Sequence, residues 1–281
     1  AAARLLWPLE GCVAISLHGR PLETLRLHLA PGARIIALTT DGDTPVQLAR
    51  LLSEAGWGPS LLTVFAHMGG ERERRVEAAA ETWPLGRIAA LNTLAIECRP
   101  GPASRPLSRL AGLPDDAFEH DGQITKRETR AATLAALAPL PGELLWDVGS
   151  GCGSITSEWL RAGSGLGAIA IERDAMRCAT IARNAAALGV PELRIVHGAA
   201  PMVLAGLPAP DAIFLGGGVA EGDLWQALWT ALKPGGRLVA NAVTLEGEAQ
   251  LLRWQAEQGG ELVRLGVARA EPVGSRRGWR S

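Results

Sequence analysis

The sequence predicts an α/β protein of two domains, the second built on a mostly parallel sheet, and three observations carry that expectation. Apolar runs of strand length alternate with runs at helical spacing, most regularly from Leu144 to Ala268. A breaker-rich stretch, Arg99-Pro100-Gly101-Pro102-Ala103-Ser104-Arg105-Pro106, separates that region from an earlier α/β one. A glycine loop, Gly149-Ser150-Gly151-Cys152-Gly153, follows directly on a strand-like run and opens a helical one. That is where an open parallel sheet takes its ligand.

In the first region, Val13–Leu17, Arg34–Thr39, Leu61–Phe65 and Ile88–Ile96 read as strands. Pro45–Ala55 has helical spacing in Val46, Leu48, Leu51 and Leu52, with Gly56 placed as a C′ glycine. In the second region, Glu128–Ala138 reads as a helix stopped by Pro139-Leu140-Pro141-Gly142, and Leu144–Val148 as the first strand. A helix through about Ala162 follows the glycine loop. Strand Ala168–Ile171, helix Ala175–Leu188 closed by Gly189, and strands Leu193–Val196 and Ala212–Leu215 come next. Helix Leu224–Leu232, strand Leu238–Val243, helix Glu246–Gln258 and a last strand Leu262–Ala268 complete the series. Buried strands covered on both faces by crossover helices read as continuous apolar runs, which is the pattern here.

Composition excludes several classes. A net charge of -1 gives no general attraction to nucleic acid or to anionic membrane. Lys126 and Lys233 are the only lysines, so Arg is almost the sole cation; a compositional bias accounts for this as simply as a need for bidentate grip. Cys12, Cys98, Cys152 and Cys178 form no CxxC pair, and neither a disulfide framework nor a metal site is expected. No run of about 18 apolar residues spans a membrane, and a cytoplasmic location is expected. The chain opens Ala1-Ala2-Ala3 without an initiator Met, and is expected to begin inside a longer protein.

The candidate site centres on Asp147-Val148-Gly149-Ser150-Gly151-Cys152-Gly153. Its G-x-G-x-G spacing differs from the G-x-G-x-x-G of dinucleotide sites: position 154 is Ser, so the glycine that packs helix on strand there is out of place. Glu172 lies just past the second strand, near the roughly 20-residue offset of a ribose-binding acid. Asp147 either meets a ligand amine or braces the loop by accepting backbone N–H bonds. Gly198-Ala199-Ala200-Pro201 and Gly216-Gly217-Gly218 follow strands three and four. Small residues at those strand ends leave room for a ligand, though each segment alone also reads as a simple turn.

Asp147–Gly153 resembles the cofactor motif of class I S-adenosylmethionine (SAM)-dependent methyltransferases, whose domain is Rossmann-like. Gln123-Ile124-Thr125-Lys126-Arg127-Glu128-Thr129-Arg130, Gly198–Pro201 and Gly216–Gly218 resemble, more narrowly, the precorrin-6Y C5,15-methyltransferase (decarboxylating) family of cobalamin biosynthesis. Ser16–Pro21, Leu38–Pro45 and Met68–Arg74 resemble the back half of a tetrapyrrole methylase domain. The resemblance therefore implies a partial tetrapyrrole methylase domain over 1–99, a linker over 100–118 and a class I domain over 119–281. The front lobe of the tetrapyrrole methylase, with its own SAM loop, is not represented, which implies C15 rather than C5 activity for this chain. A final antiparallel strand pair that the family carries after Glu271-Pro272-Val273 is expected to be missing.

The resemblance implies SAM contacts at Thr125, Gly149, Ser150, Gly151, Cys152, Gly153, Glu172 and Ala200. It also implies a polycarboxylate tetrapyrrole substrate at Lys126, Arg127, Arg130, Gly216 and Gly217, and a homo-oligomer. Thr125 is equally placed to cap the following helix in a T-x-x-E box. The implied reaction is methylation of C15 with loss of carbon dioxide from the ring C acetate, and no catalytic acid or base is singled out. Two alternatives stand beside it: a methyltransferase of another small molecule or of RNA, and a non-enzymatic scaffold with a degenerate pocket. No basic stripe with interleaved aromatics favours RNA.

Overall fold

The computed structural model describes residues 1–84, 86–220 and 222–280, with Gly222 and Asp223 described by their backbone alone. Ser281, the last residue of the expected second domain, lies outside the described residues. The chain forms two compact units, Ala1–Arg109 with Ala186–Glu192, and Leu110–Ala185 with Leu193–Ser281.

The first unit contains β1 (Cys12–Ser16), β2 (Arg34–Leu38), α1 (Thr44–Glu54), β3 (Leu61–Ala66), β4 (Arg74–Ala79) and β5 (Asn92–Glu97). Their sheet runs β1-β2-β5-β3-β4. Only β1 and β2 are parallel; β2–β5, β5–β3 and β3–β4 pair antiparallel. Among the described residues of 67–73 and 80–91 no helix is long enough for the crossover that a parallel pairing would need. Strand β4 escapes a search for apolar runs: Arg74-Arg75-Val76-Glu77-Ala78-Ala79 is a charged, half-exposed edge strand. The run from Ile88 becomes a strand only at Asn92, whose side-chain amide donates to the carbonyls of Asp41 (3.0 Å) and Ala89 (2.9 Å) and folds the preceding residues into a loop. Helix α1 ends at Gly56, with φ +80°. The Trp57 amide reaches the Leu52 carbonyl at 2.7 Å and the Gly56 amide reaches Ser53 at 3.1 Å, the double bond of a Schellman ending. Leu48 and Leu52 of α1 meet Ile35, Leu62, Leu94 and Ile96 of the sheet in the core.

The second unit contains α2 (Arg127–Leu137), β6 (Leu144–Val148), α3 (Ser154–Ala162), β7 (Gly167–Glu172), α4 (Ala175–Ala187), β8 (Arg194–His197), β9 (Ala212–Leu215), α5 (Gly222–Ala231), β10 (Arg237–Ala240) and α6 (Leu245–Gln258). All five strands are parallel, in the order β10-β9-β6-β7-β8. The chain builds outward from β6 through β7 to β8, then returns to the other side of β6 with β9 and β10. The order reverses between β6 and β9, and there the loops leave the sheet in opposite directions and open a crevice.

Register aligns the carboxyl ends. Val148 lies beside Ile171 and Leu215, and Leu215 beside Ala240. The next residue along each strand therefore forms one row across the rim: Glu172, Gly149, Gly216, Asn241.

The expected strand Leu262–Ala268 is irregular and exposed. Strand formation falls instead on β11 (Arg269–Val273) and β12 (Arg276–Arg280), an antiparallel pair. Gly274, at φ +62°, starts the two-residue turn between Val273 and Arg276. A glycine at that place is the usual sign of a tight hairpin.

Candidate active site

A cavity of about 600 Å³ opens at the row of strand ends in the second unit. This lies within the range of small-molecule sites. Its lining draws on every strand end of the row, on Gly198–Ala200 after β8 and on the segment before α2.

The glycine loop forms its floor. The amides of Gly149 and Ser150 both donate to the Ile171 carbonyl, at 3.0 and 3.2 Å, which turns the chain sharply off β6. Gly149 sits at φ +73°, and a Cβ there would lie 3.0 Å from the Gly217 nitrogen. The loop after β6 and the loop after β9 thus touch backbone to backbone at the point where the strand order reverses. Gly151, at φ +61°, has open space where a Cβ would project. Ser150, Cys152, Gly149 and Gly151 all line the cavity.

Gly153 does not line it. It begins α3 at φ +76°, and a Cβ there would press within 2.9 Å of Ile181 on α4. The motif therefore does carry a close-packing glycine, one place earlier than in G-x-G-x-x-G, where the spacing argument found none.

Glu172 closes the row at β7. It is only 4% exposed yet reaches the cavity. One carboxylate oxygen accepts from the Gly151 amide at 2.8 Å and the other from the Asp174 amide at 3.0 Å. Each oxygen keeps a further lone pair for a donor in the cavity. Asp147 is fully buried under the loop and is not part of the lining. Its carboxylate accepts from the hydroxyls of Ser150 (2.7 Å) and Thr156, fastening the loop to α3. It braces the loop through side-chain hydroxyls. Burial raises its pKa from the ordinary aspartate value to about 6.

The cation cluster before and within α2 divides. Thr125 and Lys126 line the cavity. Thr125 does not cap the helix: Lys126 occupies the N-cap, with no side-chain bond to the helix amides. Arg127 is exposed and lies outside the lining.

Arg130, expected to meet substrate, is fully buried. Its guanidinium bonds Glu158 at 2.6 Å, Asp115 at 3.1 Å, and the carbonyls of Thr125 and Leu113. Glu158 in turn accepts from the amides of Gly112 (2.6 Å) and Leu113 (3.0 Å). The pair ties the segment before α2 to α3, and so holds Thr125 at the cavity from behind. A sequence shows that Arg130 lies on a helix next to other cations, but it does not show which face of that helix is covered.

Ala200, Gly216, Gly217 and Gly218 line the cavity. So do residues that the motif reading did not single out: Thr129, Arg177, Phe214, Leu224 and Asn241. Arg177 donates to Asp121 (2.9 Å) and Gln123 (2.7 Å), pinning the segment before α2 across to α4. That bond to Asp121 raises the Arg177 pKa. Asn241 falls inside the expected strand Leu238–Val243, but β10 ends at Ala240, and the place of Asn241 in the rim depends on register.

Set beside known proteins, residues 116–281 match the model of a precorrin methyltransferase domain. The precorrin-6Y C(5,15)-methyltransferase [decarboxylating] of Sinorhizobium sp is 52% identical over 280 residues, covering 100% of this chain and 68% of that protein. A probable cobalt-precorrin-6B C(15)-methyltransferase (decarboxylating) of Saccharolobus solfataricus is 35% identical over 143 residues, 49% of this chain and 72% of that one. Among solved structures, the C-terminal domain of precorrin-6Y C5,15-methyltransferase from Rhodobacter capsulatus is 51% identical, with a TM-score of 0.59 over 62% of this chain and 94% of that chain. The five-stranded parallel unit is a Rossmann-like methyltransferase domain, and the chain belongs to the precorrin-6Y C5,15-methyltransferase (decarboxylating) family.

Proposed function

We propose that this chain uses S-adenosylmethionine to methylate C15 of a precorrin-6 macrocycle and removes the ring C acetate as carbon dioxide. The observation that carries the reading is the glycine-floored cavity with a carboxylate at one end of its rim. The residues present fit the cofactor: Glu172 offers two free lone pairs for a ribose diol, and the space beyond Gly151 would be filled by any Cβ. Gly149, Ser150, Gly151 and Cys152 line the floor, Ala200 one wall and Thr125 another. Gly153 contributes by setting α3 against α4.

When bound, SAM supplies an electrophilic methyl group on a sulfonium whose thioether leaves neutral. No acid is needed to assist that departure, and the cavity's lining accordingly asks for none. The work of these residues is to hold two partners in line, which is worth up to about 7–11 kcal/mol of a barrier. Carbon dioxide loss leaves its electron pair on the substrate, where conjugation delivers it to C15. Gly149 and Gly216 line the cavity between the cofactor end and Asn241, where the macrocycle would lie. Lys126 at the mouth faces the substrate's carboxylates.

The first unit is assigned to the tetrapyrrole methylase part of the family, over 1–99. The match of 280 residues to a C5,15 enzyme supports this. Replacement Glu172→Ala tests the cofactor assignment. SAM affinity by calorimetry is expected to weaken by about 1–3 kcal/mol, the cost of stranding paired hydroxyls. Unchanged affinity would remove Glu172 from the site.

A further inference from the structure

We infer that Asn241 is the residue that orients the macrocycle, its side-chain oxygen accepting a hydrogen bond from a pyrrolic N–H. This rests on the reading of the cavity as a precorrin methyltransferase site and assigns the end of the rim opposite the cofactor's acid.

Strand register sets Glu172, Gly149, Gly216 and Asn241 in one row. All four residues line the cavity. Two glycines separate a carboxylate on β7 from an amide after β10. Three strand spacings of about 4.7–4.9 Å put those two positions some 14 Å apart. Glu172, tied to the loop by the Gly151 amide, belongs to the cofactor half. Asn241 therefore faces whatever occupies the other half. Of the lining outside the cofactor half, Phe214, Leu224 and Gly216–Gly218 are apolar or small, and Thr129 and Lys126 are polar.

Asn241 is held as a positioned group is held. Its backbone amide continues the ladder to the Leu215 carbonyl at 3.3 Å. Its side-chain nitrogen donates to the Thr133 hydroxyl at 2.9 Å, and that hydroxyl donates to the Thr129 carbonyl at 2.8 Å. Thr133 is thereby committed as donor to the helix and acceptor from Asn241, which fixes which way round the amide lies. Among the described residues nothing donates to the Asn241 Oδ1 atom. A half-buried acceptor that lines the cavity, with locked orientation and no partner among the described residues, is built for a ligand donor. The macrocycle's inner nitrogens are the donors it offers; its peripheral carboxylates are acceptors.

The test uses the full chain and compares wild type with Asn241→Leu, Thr133→Val and Thr133→Ser. SAM dissociation constants come from calorimetry, and kcat and KM from turnover of precorrin-6Y. Asn241→Leu is expected to lower kcat/KM for precorrin-6Y by 30-fold or more while SAM affinity stays within twofold. Thr133→Val, which frees the amide to rotate, is expected to lose 3- to 10-fold. Thr133→Ser keeps the hydroxyl and is expected to stay near wild type. Asn241→Leu with kcat/KM within twofold of wild type would overturn the assignment, as would a parallel loss of SAM affinity. A wild-type chain that binds SAM but turns over no precorrin-6Y would instead overturn the reading of function, and this assignment with it.

Discussion

The buried carboxylate of Asp147 shows how one residue links the loop to pH. Its folded pKa of about 6 lies above the ordinary aspartate value, so between roughly pH 4 and 6 the folded state holds a proton that the unfolded chain has lost. Stability from this group is therefore full at low pH and falls as pH rises through about 6, by about 3 kcal/mol at one and a third kcal/mol per unit. Surface carboxylates with lowered pKa, such as Glu119 beside Arg183, act in the opposite sense, so the comparison must be a difference. Subtracting the urea stability of Asp147→Asn from that of wild type at each pH is expected to leave this downward slope. A flat difference from pH 4 to 7 would mean that Asp147 titrates normally. At Gly151 the backbone is left-handed at φ +61° and the missing Cβ would point into the cavity. Gly151→Val is expected to weaken SAM binding at least 100-fold with the fold retained by circular dichroism. Normal binding by that variant would show that the loop is not the cradle. The glycines and Glu172 were legible because each is demanded by local backbone geometry or by a fixed offset. Asn241 was not, because its role comes from three neighbouring strands.

Among elements, α2 shows what periodicity can and cannot reveal. The helix was legible to within a residue at each end, but its cations divide by face: Lys126 reaches the cavity, Arg127 is exposed and Arg130 is buried on Glu158. Neither member of the Arg130–Glu158 pair is replaceable alone, since each leaves the other buried without its partner. Arg130→Met is expected to cost about 3–5 kcal/mol in urea denaturation. A variant of wild-type stability with a raised KM for precorrin would return Arg130 to the substrate. The parallel strands of the second unit were legible because burial on both faces writes them as continuous apolar runs. Edge strand β4 and the hairpin β11–β12 were not, because they carry charge and lie exposed. The two-residue turn at Gly274 was the one local sign of that hairpin.

At the scale of the whole molecule, the second unit contains every residue of the proposed site, from Thr125 to Asn241. The stretch expected to be a linker is fixed at both ends. The Gly101 amide bonds the Gly56 carbonyl at 2.9 Å within the first unit, and Glu158 holds Gly112 and Leu113 within the second. Among the described residues no helix is long and apolar enough to cross a membrane. In the proposed function one cavity couples methyl transfer to carbon dioxide loss. Mass spectrometry of the product formed from precorrin-6Y and SAM tests it most directly. The expected product has gained the mass of a methyl group and lost that of carbon dioxide, and Glu172→Ala slows its appearance. A product that is methylated but still carries the acetate, or unchanged substrate in the presence of bound SAM, would contradict the account.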